Sequence, residues 1–180
     1  LSVASFNVLL YVGLKDTEAT NALLINSSIP VWIVALGALL YADSLSWRRA
    51  FGIAISSMGV LYLLLGQPDR TLTVNPGDIW VLASSLGWAL YSLTLRKKPS
   101  TLSGLGFLTY IVCFGVLFNG ALLLWNPFQE APLPWTLNTL YAVGYVAVFA
   151  SLGAYICWNY GIANLGAQEA SQYFYFITLF

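Results

Sequence analysis

The chain has 180 residues, of which 59% are hydrophobic and only 8% charged, with a mean hydropathy of +0.76. Soluble domains carry roughly a quarter charged residues, so a soluble enzyme, a disordered tail and a secreted disulfide scaffold are excluded. Seven Lys and Arg balance seven Asp and Glu, which leaves no basic surplus for nucleic acid.

At about 20 apolar residues per span, this length predicts roughly six or seven transmembrane helices, and the 7 Trp, 11 Tyr and 10 Phe suit membrane interfaces. Charges, Pro and Gly fall between apolar runs and mark their boundaries. The first run, 1–14, is too short to span and opens on Leu1 with no charged leader before it. The last residues, 173–180, stop with no flanking charge, so a piece of a longer chain is expected, interrupted inside one helix at each end. Lys15, Asp16 and Glu18 precede a second run at 19–41, which 43–49 closes. A third covers 50–66, and a fourth, 79–95, stops at Arg96-Lys97-Lys98-Pro99. A fifth covers 102–125 and a sixth 136–160; a link at 161–167 leads into the seventh. The predicted fold class is all-α, a polytopic transmembrane helix bundle.

Orientation follows the Lys and Arg residues. Alternate loops hold Arg48, Arg49, Arg96, Lys97 and Lys98, whereas the opposite set holds only Lys15 and Arg70. This bias puts 43–49, 96–99 and 161–167 in the cytoplasm and the Glu130 loop outside, for a multi-pass protein of the cytoplasmic membrane. An internal repeat agrees with it. Residues 11–22 can be laid over 159–170, pairing Gly13 with Gly161, Leu14 with Ile162, Ala19 with Ala167 and Ala22 with Ala170. An odd number of spans separates the copies, so they have opposite topology, as in many secondary transporters. Chance likeness between two small-residue helix junctions is the competing explanation.

Further motifs carry a family resemblance. Gly13-Leu14-Lys15, Thr17, Ala19 and Ala22, then Ile25-Asn26-Ser27-Ser28-Ile29-Pro30-Val31, resemble the fourth helix of drug/metabolite transporters with EamA-type domains. Leu45-Ser46-Trp47-Arg48-Arg49 with Gly52-Ile53 and Gly59-Val60 looks like the next helix of that family. Gly77-Asp78-Ile79 with Trp88-Ala89-Leu90-Tyr91 is similar to the helix that opens the second EamA unit. Trp158-Asn159-Tyr160-Gly161-Ile162-Ala163 and Gly166-Ala167, Ala170-Ser171 resemble a later junction of that unit. The resemblance implies ten helices in two inverted five-helix units, of which this chain would hold helices three to nine. Residues 1–66 would end the first unit, 67–77 form an outside linker, and 78–180 begin the second. Two positions depart from the pattern: Ala42-Asp43 stands where the family has Gly-Glu, and Thr178 stands where a Pro would match Pro30.

Asn26, Ser27 and Ser28 beside Pro30 form the leading polar cluster, about halfway along a span. A helical Pro removes one backbone donor, and the freed polar backbone at membrane depth is tolerated where it is buried in protein or lines a watery cavity. These side chains could hydrogen-bond a substrate, or equally bind neighbouring helices. Trp32 follows the Pro30 kink. Trp88, Tyr91 and Tyr155 lie mid-span, and Gln172 and Tyr173 begin the seventh run; Trp and Tyr offer a flat apolar face with one polar handle, suited to an amphiphilic metabolite. Trp158 lies nearer a span end. Small residues at Ala83 and Gly87, and at Ala147 and Ser151, are expected to let helices approach closely.

With no His, neither a Ser-His triad nor a histidine metal site can be built, and Cys113 and Cys157 read as small hydrophobes. No ionisable residue lies mid-span, Asp43 and Glu169 reading as helix-end charges, so no proton-coupling residue is evident. No catalytic residue, metal or cofactor is expected. The expected function is a secondary transporter that exports small organic metabolites, such as amino acids, by alternating access; a non-transporting membrane scaffold or assembly subunit is the alternative. Its partners are a small-molecule substrate and the lipid bilayer, not nucleic acid, and the composition is compatible with a homo-oligomer.

Overall fold

A computed structural model describes residues 2–43, 46–65, 75–99, 101–125 and 134–179. It is an all-α bundle, with no strand among the described residues. Helix α1 covers Ser2–Gly13, α2 Ala19–Asn26, α3 Ile29–Tyr41, α4 Trp47–Leu65 and α5 Gly77–Thr94. Helix α6 covers Gly104–Trp125 and α7 Leu137–Tyr145, which continues through a π-helical stretch, Val146–Gly153, into α8, Ala154–Leu165. Helix α9, Ala167–Ser171, tightens into a 3-10 helix over Gln172–Leu179. Among the described residues, three helical segments are long and apolar enough to cross a membrane: Ala19–Tyr41, Gly104–Trp125 and Leu137–Leu165. Most of the expected linker (67–74), the Glu130 loop and the side chain of Thr178 lie outside the description.

The expected Pro kink takes a specific form. Pro30 sits in the first turn of α3, where a missing donor costs least, and the chain bends at Ser27 and Ser28. Ser27 Oγ donates to Leu24 O at 2.6 Å and Ser28 Oγ to Ile25 O at 2.5 Å, so the serines satisfy their own helix. The link expected at 161–167 is helical up to Leu165. Only Gly166 breaks the chain, with φ 88°, a conformation that glycine adopts at little cost.

The two junctions paired by the repeat lie at opposite ends of the bundle. The one after α1 meets the start of α5, where Gly77 N donates to Asp16 O at 3.4 Å. The one after α8 meets the end of α3, where Gln168 Nε2 donates to Asp43 Oδ2 at 3.1 Å. Helices α2 and α9 begin at Ala19 and Ala167, a pair in that register. The inversion expected from loop charges is therefore present in the packing.

The close approach expected at Ala147 and Ser151 is not made to any described residue, since Val146–Gly153 buries no side chain among them. Helices α1 and α5 approach closely instead. A Cβ on Gly77 would lie 2.2 Å from Gly13 O, and one on Gly13 would lie 2.8 Å from Gly77 O. Spacing identifies a ridge of small residues but does not say which ridge meets a partner.

Helix α3 ends at Ala42 with φ 53° and ψ 32°, and the next amide, Asp43 N, donates back to Gly37 O at 3.3 Å. The left-handed conformation costs an L-residue about 1 kcal/mol, which glycine avoids. Ala42→Gly should therefore stabilise the full-length protein by about 1 kcal/mol, and Ala42→Val should destabilise it, in detergent-solubilised thermal unfolding. The opposite ranking would contradict the cap geometry.

Candidate functional site

The buried face of α5 organises the centre of the bundle. Val81, Ser84, Ser85, Trp88, Ala89, Tyr91 and Ser92 are buried, following the three- and four-residue spacing of one helical stripe. Trp88 is surrounded by five rings: Phe6 at 4.7 Å between centroids, Tyr155 at 5.4 Å, Tyr91 and Trp158 at 5.6 Å, and Phe174 at 6.0 Å. These rings come from α1, α5, α8 and the 3-10 segment, so the cluster is formed by both halves of the chain. Tilted and edge-on pairs of this kind contribute roughly 0.5–1.5 kcal/mol each beyond their buried area.

The polar handles of these rings are paired with neutral groups. Tyr91 OH donates to Asn159 Oδ1 at 2.6 Å, and Asn7 Nδ2 donates to Tyr155 OH at 3.1 Å. Trp158 Nε1 donates to Ser92 Oγ at 3.1 Å, and Trp32 Nε1 to Ser28 Oγ at 3.0 Å. Ser85 Oγ donates to Asn26 Oδ1 at 2.9 Å. Trp88 Nε1 is the exception: it is buried, in a residue 8% exposed, and has no hydrogen-bond partner among the described residues. A buried donor left without an acceptor is costly, so this indole N–H marks a point of unmet hydrogen bonding within the cluster.

Asn7 and Tyr155 are 148 residues apart, the same offset that relates Gly13 to Gly161. Under inverted repeats, equivalent residues that touch must lie close to the pseudo-two-fold axis. The aromatic cluster therefore sits where two residues related by the expected repeat offset touch.

Of the expected site residues, Asn26, Trp32, Trp88, Tyr91 and Tyr155 are brought together at this centre. Ser28 supports Trp32, Ser27 bonds its own helix, and Pro30 is buried in packing. Gln172 and Tyr173 are not part of it. Gln172 lines a small cleft with Arg49, Gln168 and Glu169, while Tyr173 is 62% exposed and stacks on Phe176. The 3-10 winding from Gln172 turns Phe174 inward in their place. Phe6, Asn7 and Phe174 went unnoticed in the sequence. The repeat register could have found two of them, since it relates Asn7 to Tyr155 and Phe174 to Asn26.

A charged network closes the end of the bundle that carries Arg48, Arg49 and Arg96–Lys98. Both terminal guanidinium nitrogens of Arg96 donate to Asp43, Nη2 at 3.1 Å to Oδ1, and Gln168 also donates to Asp43. Arg49 bonds Gln168 Oε1 at 3.0 Å and Glu169 Oε1 at 2.9 Å. The Arg96 hydrogen bond holds the Asp43 carboxyl below the usual carboxylate range, and desolvation opposes it only in part. The same contact raises the proton affinity of Arg96. At the opposite end Asp78 accepts from Thr17, from Asn75 N at 2.9 Å and from Asn21 at 3.4 Å. Among the described residues no cluster of His, Cys, Asp and Glu could hold a metal.

Residues 1–65 and 75–180 match the EamA-like transporter family. Among curated proteins, the chain is 27% identical over 180 residues to the uncharacterized transporter YyaM of Bacillus subtilis, covering 97% of the chain and 58% of that protein. It is 26% identical to an uncharacterized transporter of Archaeoglobus fulgidus, covering 94% of the chain and 58% of the relative. It is 23% identical to the probable terminal-alkyne amino-acid exporter of Streptantibioticus cattleyicolor, covering 97% and 58% respectively. The chain thus spans little more than half the length of these relatives. No solved structure gives a significant match.

Proposed function

Because this chain belongs to the EamA-like transporter family, whose members are transporters and not enzymes, we propose that it is part of a secondary transporter exporting small organic metabolites, amino acids among them, across the cytoplasmic membrane by alternating access. Residues 1–66 end one repeat unit, 67–77 link the two, and 78–180 begin the other. The basic end, with 43–49, 96–99 and the α8–α9 junction, faces the cytoplasm. Export and an amino-acid cargo draw support from the relative named as a probable amino-acid exporter.

The observation that carries this reading is the unpaired Trp88 Nε1 inside an aromatic cluster at the repeat interface. The rings offer flat apolar contact to a substrate's hydrocarbon part, and the indole N–H offers one directed bond to its carbonyl or carboxylate oxygen. Asn26, Ser85, Asn7 and Asn159 supply neutral polar groups around it. A scaffold subunit would need no such buried donor.

Solute counterflow into liposomes containing the full-length protein tests the proposal, because it requires no driving gradient. One solute class among labelled amino acids, amines, nucleobases and sugars should exchange. Trp88→Phe keeps a ring and removes only the donor, and should lower exchange about tenfold at unchanged membrane abundance. Unaltered exchange by both Trp88→Phe and Asn26→Ala would refute the site; no exchange of any solute by folded protein would refute the transporter reading itself.

A further inference from the structure

A cavity of about 720 Å³ lies at the basic end, between the end of α5, the start of α6 and α8, and Asn159, the partner of Tyr91, lines it where it borders the aromatic cluster. Its polar lining includes Arg96 and Lys98, and none of its lining residues is acidic. Its walls are mainly apolar, with Leu108 deep and buried and Ile156 on α8, and also carry Ser103, Asn159 and Asn164. Leu105 and Tyr160, also in its lining, are 63% and 72% exposed, so the cavity opens on the apolar perimeter of the bundle. Asp43 takes up much of the charge on Arg96, whereas Lys98 Nζ donates to Leu102 O, at 2.5 Å, and makes no ion pair among the described residues. The result is a positively charged mouth over a hydrocarbon-lined recess at the level of one membrane interface. Basic pockets between transmembrane helices on the cytoplasmic side suit anionic head groups, drawn there by the negative potential of that leaflet.

We infer that this cavity is a binding site for an anionic phospholipid, with the phosphate at Lys98 and Arg96 and an acyl chain against Leu108 and Ile156. The inference depends on the cytoplasmic placement of the basic end, and its cations and acyl recess involve none of the rings of the aromatic cluster, although Asn159 borders both. It explains why a recess wide enough for a ligand combines cations with an exposed apolar rim. A water-soluble substrate has no need of that rim, and a zwitterionic lipid has no need of the cations.

The test is lipid binding to the purified full-length protein in detergent, read by native mass spectrometry and by thermal shift. The probes are phosphatidylglycerol, phosphatidylcholine and inorganic phosphate. Phosphatidylglycerol should be retained and should raise the melting temperature, and the other two should do neither. One Lys near an anionic surface is worth about fivefold in affinity, so Lys98→Gln should weaken phosphatidylglycerol by about that factor and Lys98→Arg should restore it. Ile156→Trp should reduce binding by filling the recess, and Arg48→Gln, which removes a cation at the same end outside the cavity, should have no effect. Equal retention of phosphatidylcholine, an equal shift with phosphate, or an equal loss on Arg48→Gln would each overturn the assignment. The first would indicate a non-selective apolar groove, the second a small-anion site and the third unspecific charge attraction.

Discussion

Gly77→Ala will prevent the full-length protein from accumulating in folded form, whereas Gly120→Ala will be tolerated. A Cβ at position 77 would lie 2.2 Å from Gly13 O, 2.7 Å from Asp16 C and 2.8 Å from Thr17 N. All three are backbone atoms, so no rotamer change relieves the overlap, and α1 would have to move away from α5. That motion would break the contact of Gly77 N with Asp16 O and the bonds that Thr17 and Asn21 make to Asp78. It would also displace Phe6 and Asn7, which reach the central cluster from α1. Overpacking in a filled interior costs about 1–3 kcal/mol before such losses are counted, so a total of about 3 kcal/mol or more is expected. At Gly120 a Cβ meets nothing within 4 Å, and the helix-propensity gain makes alanine neutral or mildly favourable there. Membrane abundance and the monodisperse fraction in detergent, measured side by side for the two variants, check the contrast. Similar behaviour of the two would mean that α1 and α5 do not pack as described.

Reading this fold from sequence succeeds where one segment carries its own signal. Charges between apolar runs locate the helices, Pro30 locates the bend in the second span, and the spacing of Trp88 and Tyr91 puts both on the buried stripe of α5. It fails where the backbone leaves the α-helical period. Gly161 and Gly166 look alike as helix stops, yet Gly161 stays helical against Ala170 and Gly166 takes the positive φ. Past Ser171 the 3-10 winding changes which residues face inward, so Phe174 takes the place expected of Gln172 and Tyr173. Asn7 was illegible for a different reason. Its meaning depends on Tyr155, 148 residues away, and only the repeat axis connects them.

The basic end presents the second large effect. Neutralising Asp43 and Glu169 together, as Asp43→Asn with Glu169→Gln, should open that end and expose the aromatic centre to reagents from the same side. The network ties α3 and α4 of the first half to the end of α5 and the start of α9 in the second, through Asp43–Arg96, Asp43–Gln168 and Arg49–Glu169. The Arg49–Glu169 pair is half-exposed, with side chains 45% and 54% accessible, and Arg96–Asp43 less so at 37% and 17%; pairs at such a surface are worth about 1 kcal/mol each. Together the two pairs amount to about 2 kcal/mol, enough to bias an equilibrium between closed and open forms of that end. The double variant should raise the rate at which a membrane-impermeant maleimide labels Ala89→Cys from the basic side by more than tenfold, in a Cys113→Ser, Cys157→Ser background. Labelling should also rise with salt, which screens exposed charges. The pH dependence has a definite sign. Because Arg96 depresses the native pKa of Asp43, its contribution is fully present above the ordinary carboxylate value of 3.8 and is lost as pH falls through the lower native value. Opening, read as labelling relative to that of a fully exposed control cysteine at the same pH because maleimide reacts with the thiolate, should therefore be flat from about pH 5 to 8. A charge swap, Asp43→Arg with Arg96→Asp, should restore closure that either reversal alone destroys. Unchanged labelling in the Asp43→Asn, Glu169→Gln variant would show that the central packing alone keeps this end shut.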